Sequence, residues 1–181
     1  MKFEELPIKG AWLIRPELVV DERGVFRRHF CAVEFAAHGI SSTVAQGNVS
    51  ENPHVNTLRG FHFQIPPHAE GKTISCSSGA VFDIIVDLRP GSPSFLEWTS
   101  LTLTSESRES LHIPAGCANA YLTMQPGTVV HYYMSEHYHP GSYRGFHYND
   151  PSFKFKWPTT PRVISEKDRS LPNLERNEIN R

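Results

Sequence analysis

The chain has 181 residues, 39% hydrophobic and 20% charged, with a formal net charge of −1. That balance suits a globular chain with a full core and argues against a partner with a long phosphate backbone, which selects a strongly basic surface. No apolar run approaches the roughly 20 residues of a membrane span, and the opening MKFEELPIKG has no apolar signal core.

Aromatic and β-branched residues alternate in short runs separated by Gly, Pro, Ser and Asn, the pattern of an all-β sandwich or barrel. In chain order, strands are expected at Ala11–Ile14 and Val25–Phe30, then a helix at Ala32–His38 that stops at Gly39. Strands follow at Thr57–Gln64, Lys72–Ser77, Ala80–Leu88, Phe95–Thr104, Ser110–Ile113, Cys117–Met124 and Thr128–Ser135. In Ala80–Leu88, Phe82, Ile84, Val86 and Leu88 share one face, and Val81, Asp83, Ile85 and Asp87 the other. Pro- and Gly-rich turns join the later strands, among them Arg89-Pro90-Gly91-Ser92-Pro93 and Gln125-Pro126-Gly127. Ser165 is placed to cap a short helix over Glu166-Lys167-Asp168. The residues after Pro172 read as a polar tail or an arm over a sheet edge. Without repeats or a linker, residues 1–181 are expected to form one domain, with an N-terminal strand arm and a C-terminal tail. Ten or so short strands point to a jelly roll or related barrel, whose mouth can hold a small ligand. The scattered Cys31, Cys76 and Cys117 form no CxxC pair, so reduced, buried thiols in a cytoplasmic protein are expected.

The ten histidines raise the question of a metal. A two-His-one-carboxylate site in a barrel needs histidines two apart on a strand. His137 and His139 have that spacing but follow the strand and precede Pro140, while His62 and His68 are separated by Pro66-Pro67. No metal site and no other cofactor is expected.

The chemistry-bearing stretch is Leu58-Arg59-Gly60-Phe61-His62-Phe63-Gln64, with Lys72 after it. A histidine base beside fixed cations suits proton removal next to a carbonyl, because cations hold the charge that develops on oxygen. Strict alternation puts Arg59 and His62 on opposite faces, so bringing them together requires a bulge at Gly60. Tyr132 shares a face with Val130 and Met134 and is a candidate proton donor pointing into the barrel.

These segments, with Asp21-Glu22-Arg23-Gly24, Gln46-Gly47-Asn48-Val49-Ser50, Gly71-Lys72 and Gly79-Ala80-Val81-Phe82-Asp83, occur in a characteristic order. Ile113-Pro114-Ala115-Gly116, Tyr148-Asn149-Asp150-Pro151 and Ile164-Ser165-Glu166-Lys167-Asp168 complete it. From about Ile8 to Asp168 the chain resembles the nucleotide-sugar epimerases typified by dTDP-4-dehydrorhamnose 3,5-epimerase. The resemblance implies a cupin-type jelly roll, a homodimer, no cofactor, and a 4-keto-6-deoxy sugar on a nucleoside diphosphate as substrate. It implies His62 as general base with Asp168 orienting its ring, Asp83 being an alternative orienter visible in the sequence. It further implies Lys72 and Arg59 near the C4 oxygen and the ligand's charges, Tyr132 as the acid on the opposite face, and Tyr138 stacked on the nucleotide base. Arg23, Gln46, Asn48 and Lys167 match nucleotide- or phosphate-contacting positions, and Phe26 falls in the same ligand shell.

Three positions depart from the family pattern. Asn119, within Cys117-Ala118-Asn119-Ala120-Tyr121, replaces a histidine, and it cannot carry a proton charge near neutrality. Arg28 reverses an acidic charge, and Tyr143 stands where Glu is common. The expectation is therefore inversion at C3, with C5 open and the ligand shell altered at Arg28, Asn119 and Tyr143. A nucleotide-sugar 3,4-ketoisomerase and a non-catalytic nucleotide-sugar-binding barrel remain as alternatives.

Overall fold

The computed structural model describes residues 1–175; the rest of the tail expected after Pro172 lies outside the described residues. The strands are β1 (Lys2–Glu5), β2 (Trp12–Arg15), β3 (Leu18–Asp21), β4 (Gly24–Arg27), β5 (Gln46–Asn52), β6 (Thr57–Gln64) and β7 (Lys72–Ser78). They continue with β8 (Ala80–Asp87), β9 (Trp98–Thr104), β10 (Ser110–Ile113), β11 (Cys117–Thr123), β12 (Thr128–Met134), β13 (Tyr143–Gly145) and β14 (Val163–Ile164). Helix α1 (Ala32–Ala37) follows β4, and α2 (Glu166–Arg169) follows β14.

One sheet has the order β1-β2-β10-β7-β12-β5, and the other β13-β6-β11-β8-β9 with β14 added parallel to β6. The remaining pairings are antiparallel, as a jelly roll requires. The sheets face one another across a core in which Ile74, Leu111, Ile113 and Val130 of the first meet Val81, Ile85, Leu103 and Cys117 of the second. The back of the second sheet is also covered. Phe146, Phe153, Phe155 and Trp157, from the segment after β13, pack on Phe61, Ile84 and Val86. Phe61 and Phe146 stack with centroids 4.5 Å apart. This double coverage explains the near-continuous apolar run of β8.

On β8 the face carrying Asp83 and Asp87 is as buried as the other. Asp87 is satisfied by a fork of bonds from Arg89 (2.8 and 2.7 Å) and by Ser92 and Ser94. Burial pushes its carboxyl up, but these donors outweigh that and hold it down at about 2.

Several element expectations need correction. The strand expected at Val25–Phe30 ends at Arg27 and pairs with β3 in a separate hairpin. The strand expected from Phe95 begins at Trp98, because residues 92–97 form turns with Leu96 at φ +62°. The strand expected at Ala11–Ile14 pairs on both edges, with β1 and β10. The strands β1, β3, β5, β13 and β14 were not anticipated. In β5, Gln46, Asn48, Ser50 and Asn52 occupy the inward positions, and such residues have low strand propensity. Pairing along the whole of β12 imposes the strand regardless. Helix α1, expected to His38, ends at Ala37 with His38 as its cap and Gly39 turning the chain away at φ +71°, and the Ser165 hydroxyl caps α2 by accepting the Asp168 N–H at 3.0 Å.

Candidate active site

Between the two sheets opens a cavity of about 140 Å³. Ser50, Lys72, Ile74 and Tyr132 reach it from the first sheet, and Arg59, His62, Asn119 and Tyr121 from the second.

Arg59 and His62 both line it because β6 is bulged. His62 pairs with Asn119 and Arg59 with Tyr121, so three steps on β6 face two on β11. Gly60 makes the bulge feasible. It sits at φ +118°, and a Cβ there would lie 2.5 Å from the Asn119 carbonyl oxygen and 2.6 Å from the Ala120 Cα.

Helix α2 brings Asp168 under the histidine. His62 Nε2 lies 2.8 Å from Asp168 Oδ1, and Asp168 Oδ2 accepts the Gly60 N–H at 3.2 Å. Burial would raise this carboxyl. The hydrogen bond and charge of His62, the Gly60 N–H and Lys167 outweigh it and hold the group below the usual carboxylate range. A carboxylate only accepts, so the ring proton sits on Nε2 and the Nδ1 lone pair is left free to accept.

Lys72 is nearly buried and spends its three donors on three acceptors: Glu70 Oε1 at 3.0 Å, the His62 carbonyl at 3.1 Å and Asn119 Oδ1 at 3.4 Å. Asn119 in turn donates to Asp83, at 3.3 and 3.4 Å. The ring partner of His62 is therefore Asp168, and the alternative, Asp83, belongs to Asn119. Complete burial pushes Asp83 up to about 8, against the Asn119 bond and the charge of Lys72. Arg59 is fixed by donating to Asn52 Oδ1 at 2.9 Å. Burial raises the Tyr132 hydroxyl, with Arg59 opposing, so the phenol keeps its proton.

The remaining expected residues lie at the rim or outside. Tyr143 packs against His62, with centroids 5.4 Å apart, under the Lys167 ammonium at 4.0 Å. Its hydroxyl is raised by burial first, then by Asp168, Tyr138, Glu70 and Tyr132. Tyr138 is exposed beside Tyr143, and Gln46 accepts its N–H at 2.5 Å. Asn48 faces inward and donates to the Met134 sulfur at 3.4 Å. Arg23 and Phe26 stand exposed on the β3–β4 hairpin, and Arg23 pairs with Asp21 at 2.6 Å. Arg28 pairs with Glu34 at 3.1 Å, so within a single chain its charge does not face the cavity. Ser50, Asn52, Glu70 and Tyr121 were missed. Period-two parity along β5 would have found Ser50 and Asn52, whereas nothing local marks Glu70.

The family model described as dTDP-4-dehydrorhamnose 3,5-epimerase matches residues 5–176. This chain belongs to the dTDP-4-dehydrorhamnose 3,5-epimerase family. It is 38% identical over 175 residues to the dTDP-4-dehydrorhamnose 3,5-epimerase of Sinorhizobium fredii, covering 96% of this chain and 90% of the relative. The solved dTDP-4-dehydrorhamnose 3,5-epimerase of Bacillus anthracis, with TDP and PPi bound, superposes with a TM-score of 0.92 at 36% identity, covering 96% and 99% of the two chains. A 3'-monoepimerase from Streptomyces bikiniensis in complex with dTDP-quinovose gives 0.85 at 32% identity, covering 93% and 85%. The 3,5-epimerase family thus shares its fold with a structure described as inverting a single centre.

Proposed function

We propose that the chain is a cofactor-independent epimerase that inverts C3 of a nucleoside-diphosphate 4-keto-6-deoxy sugar, dTDP-linked as in its relatives, in deoxysugar biosynthesis. One observation carries this reading: His62, backed by Asp168, enters the cavity from one sheet, and Tyr132 and Lys72 enter it from the facing sheet. The C4 ketone acidifies the C3 hydrogen. His62 Nδ1 takes that proton, and the electron pair moves onto the C4 oxygen as an enolate. Lys72 and Arg59 meet the charge. The 3.4 Å bond from Lys72 to Asn119 is the weakest of its three and the one exchanged for the enolate oxygen. A fixed donor of this kind contributes about 3–4 kcal/mol in a dry site. The Tyr132 hydroxyl then protonates C3 from the other face, the ketone re-forms, and solvent resets the two side chains.

Asn119 supports restriction to C3, since His62 is the one imidazole lining the cavity among the described residues. Incubation with dTDP-4-keto-6-deoxyglucose in deuterated water, followed by NMR, tests this. Deuterium at C3 alone is expected. Deuterium at C5 as well makes it a 3,5-epimerase, a moved carbonyl makes it a ketoisomerase, and no exchange with any nucleotide-sugar ketone overturns the reading. His62→Ala is expected to abolish exchange, and Tyr132→Phe to retain exchange while suppressing net inversion.

The same reading takes residues 1–181 as one domain in a cytoplasmic homodimer. Among the described residues no helix is long and apolar enough to cross a membrane. The dimer is supported by the hairpin, where Leu18, Val19, Val20, Val25 and Phe26 are all exposed on two strands that pair with neither main sheet. Isolated hairpins are marginal in water. A second copy would cover this one.

A further inference from the structure

A second cluster of ligating side chains lies outside the cavity, where the loop after β12 meets the loop between β6 and β7. His68, Glu136 and His139 each offer one ligand atom, and these atoms lie within 4.8 Å of one another. His139 Nε2 is 3.8 Å from Glu136 Oε1, and the His68 and His139 rings stack with centroids 3.5 Å apart and planes 16° apart. A metal takes the neutral imidazole as its ligand.

The loops are held in place without any ion. Gln64, nearly fully buried, donates to the His68 carbonyl at 2.8 Å and the His137 carbonyl at 3.1 Å, and accepts the His139 N–H at 2.6 Å. The His139 carbonyl accepts the N–H groups of Ser142 and Tyr143, at 2.9 and 3.0 Å. Pro140 follows His139 and restricts its backbone as well. One buried amide therefore positions two of the three ligand-bearing residues by their main chains.

We propose that His68, Glu136 and His139 bind one divalent transition-metal ion of the zinc class, which ties the Tyr138-bearing loop to the loop leading into Lys72. Two nitrogens and one carboxylate oxygen suit Zn²⁺, Co²⁺ or Ni²⁺ and not the all-oxygen shells of Mg²⁺ or Ca²⁺. Tetrahedral ligands at zinc distances stand roughly 3.3–3.6 Å apart. Half-buried side chains reach that by rotation, with water in the fourth position. The ion sits away from the reacting carbon and adds a tether between the segment 136–139, which carries Tyr138, and the loop of His68. The site stands independently of the epimerase reading.

The test is calorimetric titration of the chelator-treated full chain with ZnCl₂ alone, supported by the visible spectrum of the Co²⁺ form. Expected are one ion per chain, a four-coordinate Co²⁺ spectrum, and binding weakened at least about tenfold by His139→Ala or His68→Ala and by lowering the pH to 5.5, where protons compete. Circular dichroism checks that the variants stay folded. Absence of stoichiometric binding, or binding unchanged in the folded His139→Ala and His68→Ala variants, overturns the proposal.

Discussion

His62 and Asp168 are 106 positions apart in the chain and 2.8 Å apart in the fold. The pair is held from both sides, because Asp168 also accepts the Gly60 N–H and its own N–H is capped by Ser165. Asp168→Asn keeps the shape but leaves one accepting oxygen for two donors; with that oxygen on the Gly60 N–H, the amide NH2 faces Nε2 and moves the ring proton to Nδ1. Deuterium wash-in at the reacting carbon is expected to fall roughly 10²- to 10⁴-fold. Its lowered carboxyl sets the acid limb. The pair's contribution to stability is present above the ordinary carboxylate pKa and is lost as pH falls through the lowered one. In Asp168→Asn, acid unfolding followed by circular dichroism loses that component. A variant of wild-type rate would remove the orienting role.

Gly60→Ala is expected to cost about 2–4 kcal/mol, since a methyl at φ +118° must displace β11 backbone rather than a side chain. Urea unfolding measures the loss. Activity should fall further than stability explains, because the bulge is what places Arg59 and His62 in one cavity. An unchanged unfolding midpoint would mean that β11 gives way more easily than the geometry indicates.

Lys72→Met removes the proposed enolate partner and leaves Glu70 buried without a counter-charge. Turnover is expected to drop roughly 10²- to 10³-fold, and stability to fall by about 3–5 kcal/mol. Adding Glu70→Gln should restore most of the stability and none of the activity, separating the two roles of the lysine. Recovery of turnover in the double variant would place the enolate donor elsewhere.

Asp83 binds a proton in the folded state that the unfolded chain releases, because burial lifts its carboxyl to about 8. Stability should therefore decline as pH rises from the ordinary carboxylate value, near ~4, through about 8. Asp83→Asn, with an amide that can still accept from Asn119, is expected to flatten that slope and to be the more stable protein at pH 8.5. Parallel wild-type and variant profiles in urea titrations at pH 5 and 8.5 would show that Asp83 is ionised throughout.

The alternation of β6, β8, β11 and β12 was legible in the sequence because those strands bury side chains the way strands usually do. The polar β5 was not, since its inward residues face a cavity instead of a core. Leu18–Asp21 escaped for a related reason: the hairpin it forms with β4 pairs with neither main sheet, and its apolar side chains are exposed.

The sequence by itself indicated the β architecture and the need for a break in parity at Gly60, and its family resemblance pointed to His62, Lys72 and Tyr132. Backbone alternation and residue chemistry are local properties, readable over a few positions. Only the tertiary structure decided that Asp168 and not Asp83 holds the imidazole, that Glu70 and Asn119 share Lys72, and that Arg28 answers Glu34. Those are choices among charged groups far apart in the chain, made by which of them the two sheets bring within hydrogen-bonding distance and out of water.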